Sequence, residues 1–315
     1  MAIDSFKLIR NLSRFETHKP ITADMFITNY CNNKCPYCTY RRWELEPGAR
    51  YMKFEDFVTY TNKLISLGVK GIILTGGGEP TINPDFDKIT EYLERNNINY
   101  GINTNFCQYR FFKPNYLKVS LDGYDRESYI KKRGVDKYDT VIENIKRYSE
   151  VKDHEKTNLG VQMVVTNIND IEPFYNSVKD IDLDYIVFRP VESTNRSYYS
   201  DVDLKTFIPV FIKHLNSFRR VDSRVVVNSK WEQLDKRFSK CYANWAQIAL
   251  DECGNVIYCC HKPYEIVGHI MDDDIMEKRA RFKTDMCTCD IPCRLTASNI
   301  LVKYAEEQTK DDCFI

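Results

Sequence analysis

The chain has no net charge, no long apolar run and no low-complexity stretch, and each absence removes a class of function. Over 315 residues, 45 Lys and Arg balance 45 Asp and Glu, so no global field draws the protein to nucleic acid or an anionic membrane. Basic runs such as Arg41-Arg42 and Lys131-Lys132-Arg133 are short enough to read as solvated faces. No stretch of about 18 uncharged apolar residues occurs, and the opening MAIDSFKLIRNLSRF lacks the apolar core of a signal peptide. A membrane partner is not expected, nucleic acid is disfavoured, and the expected location is the cytoplasm.

What is present is a chain of ordinary globular composition, 43% hydrophobic and 29% charged, with 12 cysteines. In a reducing compartment such a count points to metal ligation or redox chemistry, not to a disulfide framework. Strand-like segments at 23–29, 69–74, 98–102, 116–121, 159–166 and 184–188 alternate with helical patterns at 53–67, 85–96, 138–150, 170–180 and 203–219. Six strands mostly separated by helices imply parallel βα units. The expected fold class is therefore α/β, a partial (βα)6 TIM-like barrel over residues 1–225. A small cysteine-rich auxiliary domain follows over 226–315, where eight of the 12 cysteines lie.

In barrels the reactive groups gather at the C-terminal ends of the strands. Here those positions carry the loop with Cys31, Cys35 and Cys38, then Gly76-Gly77-Gly78-Glu79-Pro80, Asn103-Thr104-Asn105, Ser120-Leu121-Asp122-Gly123, Thr166-Asn167 and Arg189-Pro190. The CxxxCxxC spacing brings three thiolates together only if the loop wraps a metal site. On an iron–sulfur cube, three cysteines leave one iron open to chelate a cofactor. A zinc knuckle is the alternative, although structural zinc takes four closed ligands and no fourth lies nearby in sequence.

CNNKCPYC resembles the CxxxCxΦC signature of radical S-adenosylmethionine (SAM) enzymes, with Tyr37 as the aromatic residue that packs near the adenine. Gly77-Gly78-Glu79-Pro80 resembles the family's GGEP segment, which receives the methionine ammonium group. Ser120 and Asp122 lie in a segment similar to its ribose-contacting SLDG. Arg133 resembles an arginine that meets the methionine carboxylate, and Asn105 a polar residue after strand three. The resemblance spans roughly residues 20–190. It implies SAM and a [4Fe–4S] cluster as cofactors, cleavage of SAM to a 5′-deoxyadenosyl radical, and hydrogen abstraction from a substrate.

Towards the C-terminus, Cys241, Gly254 and Cys259 resemble the opening of the SPASM and twitch auxiliary-cluster domains. Cys287, Cys289 and Cys293 depart from the full SPASM pattern. One further [4Fe–4S] cluster is expected, held by Cys241, Cys259, Cys293 and either Cys287 or Cys289, with a closed zinc site as the alternative.

An electron-accepting auxiliary cluster favours oxidation of the substrate. Cys107, placed after the third strand, is a candidate hydrogen donor that would instead make the enzyme an epimerase. With so little chain before the first strand, a small molecule such as a sugar or aminocyclitol is favoured over a peptide, although a peptide-modifying maturase stays open. A flavodoxin or ferredoxin is the expected reducing partner. The reading from another class is a non-catalytic zinc or iron–sulfur protein, which would have no use for the GGGEP, SLDG and Arg133 elements.

Overall fold

A computed structural model describes residues 19–38, 40, 48–191, 204–227, 241, 246–259, 262–282 and 299. The first unit runs through strand β1 (Thr22–Met25), helix α1 (Phe54–Ser66) and strand β2 (Gly71–Leu74). In α1 the buried residues Phe57, Thr61 and Leu64 recur at helical spacing, and Glu55 and Asp56 sit favourably in the first turn. Gly68, at φ +105, ends the helix as expected. The expected strand at 23–29 is shorter than its apolar run: pairing to β2 stops at Met25, and the chain then turns into the cysteine loop.

Helix α2 (Phe86–Arg95) leads to β3 (Asn99–Thr104) and then β4 (Tyr116–Ser120). Apolar periodicity predicts no helix between β4 and residue 138, yet α3 (Arg126–Arg133) is there. A capping box between Asp125 and Ser128 starts it and Gly134, at φ +71, stops it. Its composition is polar, so caps and not apolar periodicity define it. The chain continues through α4 (Tyr138–Val151), β5 (Asn158–Val165), α5 (Ile171–Val178), β6 (Tyr185–Pro190), α6 (Leu204–Val221) and a short β7 (Val225–Val226).

Strands β1 to β7 pair in sequence order and in parallel, the partial barrel anticipated from the alternation. Beyond it, β8 (Gln247–Leu250), β9 (Asn255–Cys259) and β10 (Lys262–His269) precede α7 (Ile275–Arg281). The sheet does not stop at residue 225, because β8 pairs in parallel with β1 and carries β9 and β10 as antiparallel neighbours. Ile248, Leu250 and Val256 accordingly join the same apolar core as the barrel strands. The β8–β9 connection is the ECGN turn, where Asp251 Oδ1 accepts from the Cys253 and Asn255 amides.

Each strand has two faces with different fates. Ile72, Leu74, Ile102, Leu117, Val119, Val161, Met163, Ile186 and Phe188 are buried in one core with the helices. The alternating residues of β2, β4 and β6 keep partial exposure, so the inner face lines an accessible lumen. Two tyrosines lie across glycines at its base. A Cβ on Gly101 would fall 2.0 Å from the Tyr116 ring, and one on Gly160 2.2 Å from the Tyr185 ring. Among the described residues no helix is long and apolar enough to cross a membrane.

Candidate functional site

Past β1 the chain is held to its neighbours by backbone bonds, Phe26 to Leu250 and Met52 to Ile27. It then wraps through Cys31, Cys35 and Cys38. Lys34 N donates to Arg133 O at 2.9 Å, so the cysteine loop is fastened to the end of α3. Cys35 is buried and Cys31 and Cys38 are partly buried, and all three are thiols and not half-cystines. Burial pushes the Cys31 thiol up to about 12, with the Glu79 charge adding to it. Cys35 rises to about 11, again through burial first, against the pull of Arg133.

Glycines bring the second loop against the first. A Cβ on Gly78 would lie 1.8 Å from Tyr30 O, and Glu79 N donates to that same carbonyl at 2.8 Å. Only glycine permits this approach. Glu79, 3% exposed, is held by four donors: Thr81 N at 3.1 Å, Thr81 Oγ1 at 2.7 Å and Thr104 Oγ1 at 2.5 Å on Oε1, and Asn105 N at 2.7 Å on Oε2. Oε2 retains room for a further donor. Burial nevertheless raises the carboxyl above its usual range. Asn105 Nδ2 donates to Asn32 Oδ1 at 2.6 Å and lies 3.8 Å from Cys31 Sγ.

Tyr37, Asp122 and Arg133 form one connected group. Asp122 Oδ2 accepts from Tyr37 Oη at 2.7 Å and from Arg133 Nη1 at 2.8 Å, while Oδ1 accepts from Val164 N at 2.7 Å. Asp122 takes up this place with φ +61, a left-handed backbone that aspartate tolerates better than most residues. The Asn33 amide, with its oxygen turned to Arg133, accepts from Nε at 3.0 Å and Nη2 at 3.2 Å. Ser120 ends β4 beside Gln162 of β5.

Cys107 Sγ lies 3.4 Å from the Asn33 amide and 3.5 Å from Tyr129 Oη. Tyr129 is fully buried in the core, so these partners belong to the cysteine loop and α3, not to the lumen-facing residues. Burial raises the Cys107 thiol.

The expected first-site residues Cys31, Cys35, Cys38, Tyr37, Gly77, Gly78, Glu79, Asn105, Ser120, Asp122 and Arg133 thus share the C-terminal mouth of the strands. Asn33 and Thr81 join them without being among the expected residues, and Thr104, expected only as a polar residue at the mouth, donates to Glu79. Asn33 and Thr104 lie inside motifs already singled out, and their polar character at those positions was the available signal. In the C-terminal part, Cys241 and Cys259 pack in one buried group with Tyr258, and Cys241 Sγ lies 3.8 Å from the Asn299 amide. Cys287, Cys289 and Cys293 lie outside the described residues.

The loop suits an iron–sulfur cluster on the chemistry of its donors. Three thiols in eight residues sit close enough for the Cys35 charge to act on Cys31 and the Cys38 charge to act on Cys35. Asn33 N donates to Cys31 Sγ at 3.4 Å, the kind of N–H···S contact that supports a thiolate ligand. Buried thiols this hard to ionise need metal cations to become ligands. Among the described residues, no group of three or more His, Cys, Asp or Glu forms a ligand set for a single metal ion.

Comparison with known proteins agrees with this geometry. Residues 25–178 match the family model described as "Radical SAM superfamily". The chain is 30% identical over 162 residues to "Probable GTP 3′,8-cyclase" of Pyrococcus abyssi, covering 49% of this chain and 51% of that protein. It is 26% identical over 164 residues to GTP 3′,8-cyclase of Pasteurella multocida, covering 49% of this chain and 48% of that protein. The chain therefore spans about half the length of the curated relatives it matches.

Among solved structures, Streptococcus suis SuiB bound to precursor peptide SuiA superposes with a TM-score of 0.65 at 15% identity, over 91% of this chain and 74% of that one. Native anSMEcpe with bound AdoMet gives 0.62 at 19%, over 84% and 83%. At these identities the likeness concerns the fold, and it is the partial-barrel fold described above. The matching segment runs from the last residue of β1 through α5, so the strands and loops that carry the cysteine loop, Glu79, Asp122 and Arg133 are similar to the radical SAM superfamily.

Proposed function

We propose that Cys31, Cys35 and Cys38 hold the [4Fe–4S] cluster and that SAM binds over it, between the Gly77-Gly78-Glu79 turn and the Tyr37–Asp122–Arg133 group. When bound, the pair supplies one-electron cleavage of the sulfonium and thereby hydrogen-atom abstraction. The observation that carries this reading is the convergence on one mouth of three coupled thiols, the glycine turn against Tyr30 and the Glu79 carboxylate.

The chain's own residues then have separable tasks. Glu79, oriented by Thr81, Thr104 and the Asn105 amide, presents Oε2 to the methionine ammonium. Asp122 holds Tyr37 at the adenine side of the loop and aligns Arg133, whose remaining charge is directed to the carboxylate end. Ser120 and Asn105 supply polar contacts between them. The contact from Lys34 to Arg133 fixes the loop so that the cluster and these groups move as one body. The lumen beneath receives the substrate, and its Tyr116 and Tyr185 base limits the depth to which water and substrate enter.

Cys241 and Cys259, with Cys293 and either Cys287 or Cys289, are proposed to hold a second cluster in a SPASM- or twitch-like element. Its role would be to accept an electron from the substrate, which makes oxidation of a small molecule such as a sugar or aminocyclitol the favoured reaction. A flavodoxin- or ferredoxin-like protein in a reducing, cytoplasmic setting would supply the first electron. The position of Cys107 against Asn33 and buried Tyr129 argues against the epimerase version. The relatives named above act on GTP by their names, so a cyclisation is the second reading.

The test is anaerobic reconstitution followed by electron paramagnetic resonance of the reduced protein with and without SAM. A cluster signal that SAM perturbs, lost in Cys35→Ala, is expected. A reconstituted cluster whose signal is indifferent to SAM would overturn the assignment.

A further inference from the structure

Among the described residues, two buried acceptors in the lumen have no donor. Gln162, on the inner face of β5, is 6% exposed, and its Oε1 has no hydrogen-bond partner among the described residues. Asn103, on the inner face of β3, donates through Nδ2 to Thr75 Oγ1 at 2.9 Å, while its Oδ1 is likewise buried and unpartnered among the described residues. Register places both on the lumen side. Gln162 aligns with Ser120 on one flank and Val187 on the other, and Asn103 aligns with Lys118. Their strand neighbours Ile102, Val161 and Met163 face the helices in the core.

An unpaired buried acceptor costs the folded protein about 1–3 kcal/mol, and such groups are rare enough to call for a reason. Here both reach from strands flanking β4 into the same lumen, above the Tyr116 and Tyr185 base. Lys118 and Arg189 face the same space, but each already has an interaction within the protein, so their charges do not carry the argument. What the two amide oxygens lack is hydrogen-bond donors.

Resting on the reading that this is a radical SAM enzyme with its substrate in the lumen, we propose that Gln162 and Asn103 are substrate-binding residues. They accept hydrogen bonds from hydroxyl or amino groups on a compact, polyhydroxylated or aminated ring. The Cα atoms of the two residues stand about 12 Å apart, two strand spacings across and two residues along, and side chains converging over that span suit one ring gripped at two edges. A ligand of this class replaces the water that each amide loses on folding. A ligand with acceptors only, or an apolar one, leaves both oxygens unpaired.

The experiment uses the reconstituted, SAM-loaded enzyme and three probes, D-glucosamine, myo-inositol and guanosine, read by saturation-transfer NMR, with SAM affinity read separately by calorimetry. Binding of at least one probe is expected, weakened about tenfold or more by Gln162→Leu and by Asn103→Leu. Gln162→Glu, which keeps an acceptor in place, should retain it. Both leucine variants should hold SAM within about twofold of the parent, and the free Gln162→Leu protein should melt about 2 °C or more higher, because a buried unpaired acceptor has gone; Asn103→Leu also gives up the contact to Thr75, so no such rise is expected there.

If the parent binds SAM but none of the probes, this inference fails alone. If Gln162→Leu weakens SAM tenfold and leaves probe binding intact, Gln162 belongs to the cofactor and the inference also fails. If the parent with an intact cluster binds no SAM, the proposed function and this inference fall together.

Discussion

Replacing Asp122 by Asn removes a charge while keeping the shape of the group that joins the cysteine loop to the barrel. Asp122 is 1% exposed and Arg133 8%, and their contact is 2.8 Å. Burial alone works against the Arg133 charge, and a Cys35 thiolate, once ionised, together with the Asp122 carboxylate reverses that and keeps the guanidinium protonated. Breaking a buried pair by neutralising one partner typically costs about 3–5 kcal/mol. Asparagine is also at ease at φ +61 and can still accept from Val164 N, so the lower end, about 3 kcal/mol, applies.

For a domain of this size that corresponds to a melting point lower by about 6 °C or more. Urea unfolding of the anaerobically reconstituted protein reads the same quantity. Tyr37→Phe, which deletes the 2.7 Å contact to Asp122, should cost about 1 kcal/mol in the parent and clearly less when Asp122 is already Asn. A loss below about 1 kcal/mol for Asp122→Asn would refute the clamp, since it would lie within the range of an ordinary exposed pair. Equal costs of Tyr37→Phe in both backgrounds would refute it too.

Three further outcomes follow from the geometry. Gly78→Ala puts a methyl 1.8 Å from Tyr30 O, so iron retention should collapse; near-normal cluster content would show that the two loops need not approach so closely. Burial holds the Glu79 carboxyl above its usual range, so the unfolded chain releases this proton at lower pH than the folded one. Its contribution is full below the unfolded value and is lost as pH rises, so the stability of the parent relative to Glu79→Gln should fall as pH rises above the ordinary carboxyl range of about 4; a relative rise would contradict the assignment. Lys152, whose side chain is fully buried, pairs with Asp184 at 2.7 Å. Asp184→Ala strands that ammonium and should cost about 3 kcal/mol in urea unfolding, well above Lys152→Met.

Much of this architecture was legible because the strands alternate with helices whose apolar residues recur at helical spacing. Expected and observed elements agree closely over α1, α2, α4 and β2 to β6. Helix α3 was not legible, since its buried residues are Tyr129, Lys132 and Arg133, two of which read as surface charge. The docking of β8 on β1 was hidden for another reason: parallel pairing across more than 200 residues leaves no local pattern. At the site, the motif residues were readable by type and order, but their partners were not. That Asp122 joins Tyr37 to Arg133, and that Glu79 is held by Thr81 and Thr104, depends on side-chain geometry that spacing does not encode. The unpaired oxygens of Asn103 and Gln162 are of the same kind, visible only once strand register fixes which residues face the lumen.

The central claim is tested most directly by incubating the reconstituted, reduced protein with SAM under anaerobic conditions and measuring 5′-deoxyadenosine by mass spectrometry. Formation by the parent and none by Cys31→Ala, Cys35→Ala or Cys38→Ala is the predicted result. No 5′-deoxyadenosine from parent protein that retains a reducible cluster would contradict it.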